Sequence, residues 1–128
     1  MRPTAIMLLA GCITGAIPRA GADAIPADAG RGRVIFNQCV VCHSTSATAE
    51  VPNPGPDLRG VAGRPAGSVP GFRYSRALRN ARRPWTETTL DAFIADPQAA
   101  VPGNTMPFPG IVEETQRRDL IAYLKILK

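Results

Sequence analysis

The chain has 128 residues, of which 45% are apolar and 20% are charged, and its formal net charge is +5. This length favours one compact domain over two. The positive charge is too small to indicate nucleic-acid binding, which requires clustered basic contacts together with groups that read bases. We therefore expect no nucleic-acid partner.

Residues 1–22 have the three-part pattern of a cleaved secretory signal. Arg2 precedes an apolar run from Ala5 to Ile17, and small residues surround Gly21. The apolar run is 13 residues long, whereas a helix needs about 20 to span a bilayer. We predict a signal peptide that is cleaved after residue 22 and a mature domain over residues 23–128 that is exported to the periplasm.

Cys12 supports an alternative for the same segment. Leu9-Ala10-Gly11-Cys12 resembles a bacterial lipoprotein cleavage box, in which the cysteine carries the lipid. A lipid on Cys12 would tether the domain to the membrane, facing the periplasm. An uncleaved anchor is the third possibility, and all three place the domain outside the cytoplasm. We expect membrane contact only if the lipid or the anchor is present.

The first predicted helix runs from about Asp28 to Cys42. Apolar or small residues recur along it at helical spacing, and Asp28 lies in its first turn. Its end contains Cys39-Val40-Val41-Cys42-His43, a CxxCH motif. The helix is therefore expected to deliver this motif to a functional site.

The CxxCH motif predicts the covalent attachment of one haem c. Cys39 and Cys42 lie one helical turn apart, so their thiols can form thioether bonds to two vinyl groups of one haem, and His43 can reach the iron. A thioredoxin-like redox pair and half of a zinc site are the alternatives. The first requires a βαβ pattern, which is absent. The second requires two more ligands, and no other cysteine or histidine follows residue 22.

Residues 43–85 show no sustained helix or strand period and are rich in proline and glycine. We predict a loop of about 40 residues, which is long for a connection without structure unless a prosthetic group supplies a surface for packing. We interpret the basic residues of this loop as a solvated face in preference to a partner site. These residues are Arg73, Arg76, Arg79, Arg82 and Arg83.

Two further helices are predicted in the second half of the chain. One begins after Thr86, a suitable N-cap, and continues to about Ala95, with Pro97 ending it. The other runs from about Val112 to Leu127, with an apolar stripe on one face. Its acidic residues lie at the start and its lysines at the end, as the helix dipole favours.

Met106 is the only methionine after residue 22, and it lies in the proline-containing loop 102–108. His43 is the only histidine, so two histidines of this chain cannot ligate one iron. We therefore predict His43 and Met106 as the two iron ligands. A thioether opposite an imidazole favours ferrous iron and raises the reduction potential.

With both axial positions filled by the protein, we predict a one-electron carrier and not an enzyme. One alternative is a dedicated electron-transfer subunit of an oxidoreductase complex. Another is a haem protein that binds ligands or acts as a peroxidase, in which Met106 dissociates from the iron.

The motifs of residues 32–127 in combination resemble the class I cytochromes c, of the mitochondrial and bacterial c2-like type. Besides CxxCH, they include Gly55-Pro56-Asp57-Leu58, Gly63-Arg64, Pro70-Gly71-Phe72-Arg73-Tyr74-Ser75, Trp85, Pro102-Gly103-Asn104-Thr105-Met106 and Asp119-Leu120-Ile121-Ala122-Tyr123-Leu124. The resemblance implies an all-α class I cytochrome c fold. In this fold, three main helices and long loops rich in proline and glycine wrap around one covalently bound haem. The first and last helices should cross at Gly32.

The resemblance also implies further residues of the haem site. The Pro56 carbonyl is expected to accept a hydrogen bond from the ring of His43, which orients the ligand. The expected donors around a buried haem propionate are Arg64, Tyr74 and Trp85, since a buried carboxylate requires hydrogen-bond partners. Asn104 stands where threonine is common and is expected to donate to a propionate or an internal water.

Several positions depart from the usual family pattern. Phe93 and Leu78 replace a tyrosine and an asparagine that are frequent in the family, so a hydroxyl donor near the Met106 sulfur is missing. The edge of the haem is usually ringed by lysines, but the positions here are Gln38, Gln98, Thr105, Val112 and Glu113. We expect a monomer that docks with its electron donor and acceptor, both redox proteins, mainly through apolar contact.

Overall fold

The structure, a computed structural model, describes residues 25–43 and 53–128. The predicted signal over residues 1–22 and Cys12 lie outside the described residues. The helices are α1 (Ala29–Phe36), α2 (Arg76–Ala81), α3 (Glu87–Ala95), α4 (Pro97–Ala100) and α5 (Glu114–Ile126). The described ranges contain one isolated β-bridge, between Pro65 and Pro84, and no strand, which confirms the all-α prediction. Of the helices in these ranges, none has the length and apolar character needed to cross a membrane.

Helix α1 is shorter than predicted. It begins after Asp28, whose carboxylate accepts a hydrogen bond from the Arg31 amide at 2.7 Å, and it ends at Phe36. The chain then continues in turns to His43, with the Cys39 amide bonded to the Phe36 carbonyl at 2.8 Å. Such i to i−3 bonds are mixed with i to i−4 bonds in this segment, so the CxxCH motif lies on turns that extend the helix and not on a regular helix.

Helices α1 and α5 cross at Gly32, as the family resemblance implies. A Cβ atom at Gly32 would lie 1.9 Å from the carbonyl oxygen of Asp119, so only glycine permits this approach. The rings of Phe36 and Tyr123 pack beside the crossing with their centroids 5.1 Å apart. Leu120 is only 1% exposed. The crossing therefore packs α1, which precedes the CxxCH motif, against α5, the last helix of the chain.

Two short helices were not predicted. Helix α2 follows Ser75, whose hydroxyl accepts a hydrogen bond from the Leu78 amide, and it ends at Arg82 in the left-handed conformation, with φ of 47°. Helix α4 begins at Pro97, after Asp96 has capped its first amides. Pro97 therefore lies beyond the end of α3, as predicted, but it also opens a new helix because proline is well suited to the first helical position. Elements of six and four residues are too short to show periodicity.

The described part of the long loop, residues 53–85, is tied together by backbone hydrogen bonds. The Trp85 amide donates to the Arg64 carbonyl, and the Gly63 amide donates to the Trp85 carbonyl, each at 2.9 Å. Apolar side chains of α3 and α5 pack on the inner side, and they include Leu90, Phe93, Ile94, Leu120 and Leu124. These elements and the loop enclose one cavity, which contains the candidate site.

Candidate cofactor site

The cavity has a volume of about 360 Å³ and is lined mainly by apolar side chains. Its apolar lining includes Leu58, Val61, Leu78, Trp85, Leu90, Phe93, Ile94, Phe108, Leu120 and Leu124. Cys39, Cys42, His43 and Met106 line the same cavity. The structure thus brings all four residues predicted from the motif and from elimination to one apolar space.

Cys39 and Cys42 are free thiols, and both are half-buried. Burial, with a smaller contribution from Cys42, raises the pKa of the Cys39 thiol to about 11. The described residues contain no cluster of three or more histidine, cysteine, aspartate or glutamate side chains that could hold a metal ion. Two thiols facing an apolar cavity fit thioether attachment of an organic cofactor better than ligation of a zinc ion.

His43 is buried, with 7% of its surface exposed, and its Nδ1 atom lies 2.7 Å from the carbonyl oxygen of Pro56. A carbonyl oxygen can only accept a hydrogen bond, so Nδ1 carries the proton and the Nε2 lone pair is available to a metal. Burial lowers the pKa of His43 and outweighs the opposing effect of the bond to Pro56. The imidazole is therefore held in the neutral form that ligates iron.

Gly55 makes this arrangement possible. A Cβ atom at this position would lie 2.6 Å from both Cε1 and Nδ1 of His43 and 2.9 Å from the carbonyl oxygen of Cys42. Gly55 also donates its amide to that Cys42 carbonyl at 2.8 Å. In the sequence Gly55 was visible only as part of a family motif, and its role was not predicted. Its position between Pro54 and Pro56 is the signal that could have indicated a closely packed turn.

Met106 is half-buried, and its backbone amide donates to Oδ1 of Asn104 at 2.9 Å. The Nδ2 atom of Asn104 donates to the carbonyl oxygens of Pro97 at 2.7 Å and Val101 at 2.9 Å. Asn104 is absent from the lining of the cavity. An asparagine amide has two hydrogens, and both are used here. This corrects the prediction that Asn104 donates to a propionate or to an internal water.

Arg64, Tyr74 and Trp85 all line the cavity. The guanidinium of Arg64 donates to the carbonyl oxygens of Arg59 at 2.9 Å and Asp57 at 2.7 Å, which fixes its position. The hydroxyl oxygen of Tyr74 accepts a hydrogen bond from a backbone amide at 3.3 Å, so its own hydrogen is available to a ligand. Burial is the main cause that raises the pKa of Tyr74, so this hydrogen is retained at neutral pH.

Phe93 and Leu78 lie at the cavity wall, so both departures from the family pattern face the site. Neither side chain can donate a hydrogen bond to a group inside the cavity. This part of the wall is more apolar than the family pattern would make it.

The basic residues of the long loop behave differently from one another. Arg73, Arg76, Arg79 and Arg82 are exposed, and Arg83 is half-buried. Arg79 donates to the Tyr74 carbonyl, and Arg83 donates to the Ala100 carbonyl. Arg79 and Arg83 therefore also brace the surrounding backbone.

The residues present fit a haem. A neutral imidazole and a thioether line the same cavity as two free thiols, and the remaining wall is largely apolar. Hydrogen-bond donors occur among the lining residues, where they could meet the carboxylates of a haem. An imidazole with a thioether is also a ligand set known for haem iron.

The chain is similar to known cytochromes. A family model described as cytochrome c matches residues 29–128. Cytochrome c2 of Rhodomicrobium vannielii is 44% identical over 94 residues, which cover 73% of this chain and 74% of the relative. Cytochrome c2 of Blastochloris viridis is 43% identical over 104 residues, 81% of each chain. The solved structure of cytochrome cH from Methylobacterium extorquens superposes with a TM-score of 0.71 at 39% identity, covering 77% of this chain and 98% of that one.

Proposed function

The chain belongs to the cytochrome c family, as a class I c-type cytochrome that binds one haem c covalently and carries electrons, and from this premise we propose how its residues do so. Cys39 and Cys42 attach the haem through thioether bonds. His43 and Met106 would ligate its iron. When bound, the haem supplies a one-electron couple between ferrous and ferric iron.

The observation that carries this proposal is the presence of His43 and Met106 on one cavity, with the His43 ring oriented by Pro56. The bond from Nδ1 to the Pro56 carbonyl keeps the ring in one tautomer and makes the Nε2 atom a better ligand. The thioether of Met106 favours the ferrous state. Ligation by these two residues would therefore favour the reduced iron.

Ligation by both residues would favour a carrier over an enzyme, because it would leave substrates no open coordination site on the iron. The competing function is a haem protein that binds ligands or acts as a peroxidase, and it requires Met106 to dissociate. The apolar wall at Phe93 lacks a hydroxyl that could hold a displaced ligand or a water molecule. This feature favours the carrier.

We place Arg64, Tyr74 and Trp85 at a haem propionate. Arg64 is already held by two carbonyl oxygens, and Tyr74 keeps a free hydroxyl hydrogen. These groups would supply hydrogen bonds to a carboxylate that burial would otherwise destabilise.

The mature protein is proposed to comprise residues 23–128 and to work in the periplasm as a monomer, between a donor and an acceptor that are themselves redox proteins. Val41 is 77% exposed and lines the cavity, and Val112 is 93% exposed. Val41, an exposed apolar side chain at the cavity, would suit transient apolar contact with these partners. A subunit of a larger oxidoreductase would use the same surface and would purify together with its partner.

The substitution Met106→Ala tests the proposed ligation. We expect the oxidised wild-type protein to show a sulfur-to-iron charge-transfer band, and the variant to lose it and to bind carbon monoxide when reduced. Val112→Ala is a control at an exposed site and should keep the band. A wild-type protein that lacks the band and binds carbon monoxide readily would contradict the carrier function.

The mass of the exported protein tests the proposed signal cleavage. It should correspond to a chain that starts at residue 23.

A further inference from the structure

Asn104 is a buried polar residue, 6% exposed, and its side chain makes three hydrogen bonds to the backbone. Two of them are donated to the carbonyl oxygens of Pro97, the first residue of α4, and Val101, the residue that follows α4. The third is accepted from the Met106 amide at 2.9 Å. One side chain therefore connects α4 to the backbone of the candidate iron ligand.

The segment that carries Met106 has few other constraints. Within the part of the chain that the structure describes, residues 105–110 neither donate nor accept a backbone-to-backbone hydrogen bond. Pro107 and Pro109 have no amide hydrogen to donate. The bond from the Met106 amide to Asn104 is therefore the main polar attachment of this segment.

A side chain of α4 also bonds to the backbone of Asn104. The Nε2 atom of Gln98 donates to the carbonyl oxygen of Asn104 at 3.0 Å. Because every polar atom of the Asn104 side chain is used, moving this residue would break several buried hydrogen bonds together. A set of bonds that must break together keeps the segment in one conformation.

We infer that Asn104 is a positioning residue that holds Met106 in its ligating position through the backbone, without touching the haem. This inference rests on the proposed ligation by Met106. The population of molecules in which Met106 has left the iron limits how tightly an external ligand can bind. Asn104 thus keeps the iron closed to small molecules and preserves the protein as a carrier.

The substitution Asn104→Ala in the haem-containing protein tests this role. We expect the ferric variant to bind imidazole about tenfold more tightly than wild type, since the loss of buried hydrogen bonds favours the open state. Hydrogen exchange of the Met106 amide should accelerate by about the same factor. Gln98→Ala removes only the outer bond to Asn104 and leaves its side chain in place. Gln98→Ala should also raise the imidazole affinity and the exchange rate of the Met106 amide, but by a smaller factor than Asn104→Ala.

Thr86→Ala is the matched control, because it removes the N-cap of α3 and destabilises the protein away from the methionine segment. It should leave imidazole affinity and Met106 amide exchange at wild-type values. If Thr86→Ala raised imidazole affinity and Met106 amide exchange as much as Asn104→Ala does, general destabilisation would explain the effect of Asn104→Ala. The inference would then be wrong.

The remaining outcomes separate the inference from the proposed function. Wild-type imidazole affinity in Asn104→Ala and Gln98→Ala would overturn the inference, while the charge-transfer band and its loss in Met106→Ala would leave the proposed function intact. Unchanged imidazole affinity in Met106→Ala would show that Met106 is not a ligand, and both the inference and the ligation would then fail.

Discussion

His43 and Met106 line the same cavity, but the segments that hold them are built in different ways. His43 follows the two cysteines directly, and its ring is oriented by the backbone carbonyl of Pro56 at 2.7 Å. Met106 lies among prolines and is held by the side chain of Asn104, which is itself anchored on α4. A ligand oriented by a backbone carbonyl keeps that hydrogen bond when side chains are substituted. A ligand placed by a buried side chain depends on the packing of another element.

Gly110→Ala, in the segment that carries Met106, should cause the largest loss of stability. Gly110 has a φ of +99°, and a Cβ atom there would lie 2.1 Å from the carbonyl oxygen of Ala95. The next residue, Ile111, donates its amide to the Ile94 carbonyl at 2.8 Å. We expect a loss of roughly 2–5 kcal/mol in the free energy of unfolding, from overpacking and from an unfavourable backbone conformation.

Denaturant unfolding of the haem-containing protein measures this loss. Gly63→Ala is the matched control, because Gly63 has a φ of +84° but nothing lies within 4 Å of an added Cβ. The control should show only the conformational cost of about 1–2 kcal/mol. Equal losses in the two variants would mean that the contact with Ala95 is unimportant. Tighter imidazole binding in Gly110→Ala alone would assign its effect to the methionine side.

Gly55→Ala should have the next largest effect, on the histidine side. The added Cβ would displace the His43 ring, because it would lie 2.6 Å from two ring atoms. We expect a loss of roughly 1–3 kcal/mol in stability from overpacking, together with a changed reduction potential because the bond to Pro56 weakens.

Voltammetry and denaturant unfolding of Gly55→Ala check this prediction. Gly60→Ala serves for comparison, because nothing lies within 4 Å of an added Cβ there. It should leave the potential at the wild-type value. If Gly55→Ala also kept the wild-type potential, the orientation of the His43 ring by Pro56 would not tune the iron.

Asp119→Asn should have the smallest effect on stability. Asp119 is connected to the segment that carries His43 only through α1. The buried Asp119 carboxylate accepts hydrogen bonds from the Arg31 side chain, at 2.6 and 2.9 Å, and from the Asp28 amide at 2.7 Å. The Arg31 bond is the main cause that lowers the pKa of Asp119. The Asp28 amide and the charges of Arg31 and Arg118 act in the same direction, against the effect of burial.

A lowered pKa in the folded state gives the pH dependence a definite sign. The contribution of Asp119 to stability is complete above the ordinary aspartate pKa of about 3.9, and it is lost as the pH falls through the lower folded value. Urea unfolding at pH 7, 4 and 3 should therefore show a steeper acid loss in wild type than in Asp119→Asn. Parallel pH curves for the two proteins would contradict this prediction.

The sequence was sufficient for the parts of the site that depend on residue identity. CxxCH predicts covalent haem c, and the presence of a single histidine and a single methionine after residue 22 leaves one candidate ligand pair. The helical periods of α3 and α5 were also visible, and the observed bounds differ from the predicted ones by at most two residues. Helix α1 was predicted too long, because the periodic pattern continues through turns in which i to i−3 and i to i−4 bonds are mixed.

Only the tertiary structure decided what each polar side chain bonds to. Asn104 was predicted to donate into the haem site, but the carbonyls of Pro97, at the start of α4, and Val101, just after it, take both of its hydrogens. Since α4 has four residues and no period, neither the helix nor its use as an anchor could be predicted. The chemistry of the ligands is therefore determined by local sequence, because it depends on which atoms are present. The positioning of Met106 depends on contacts between segments, which arise only when α4 and the methionine segment fold together.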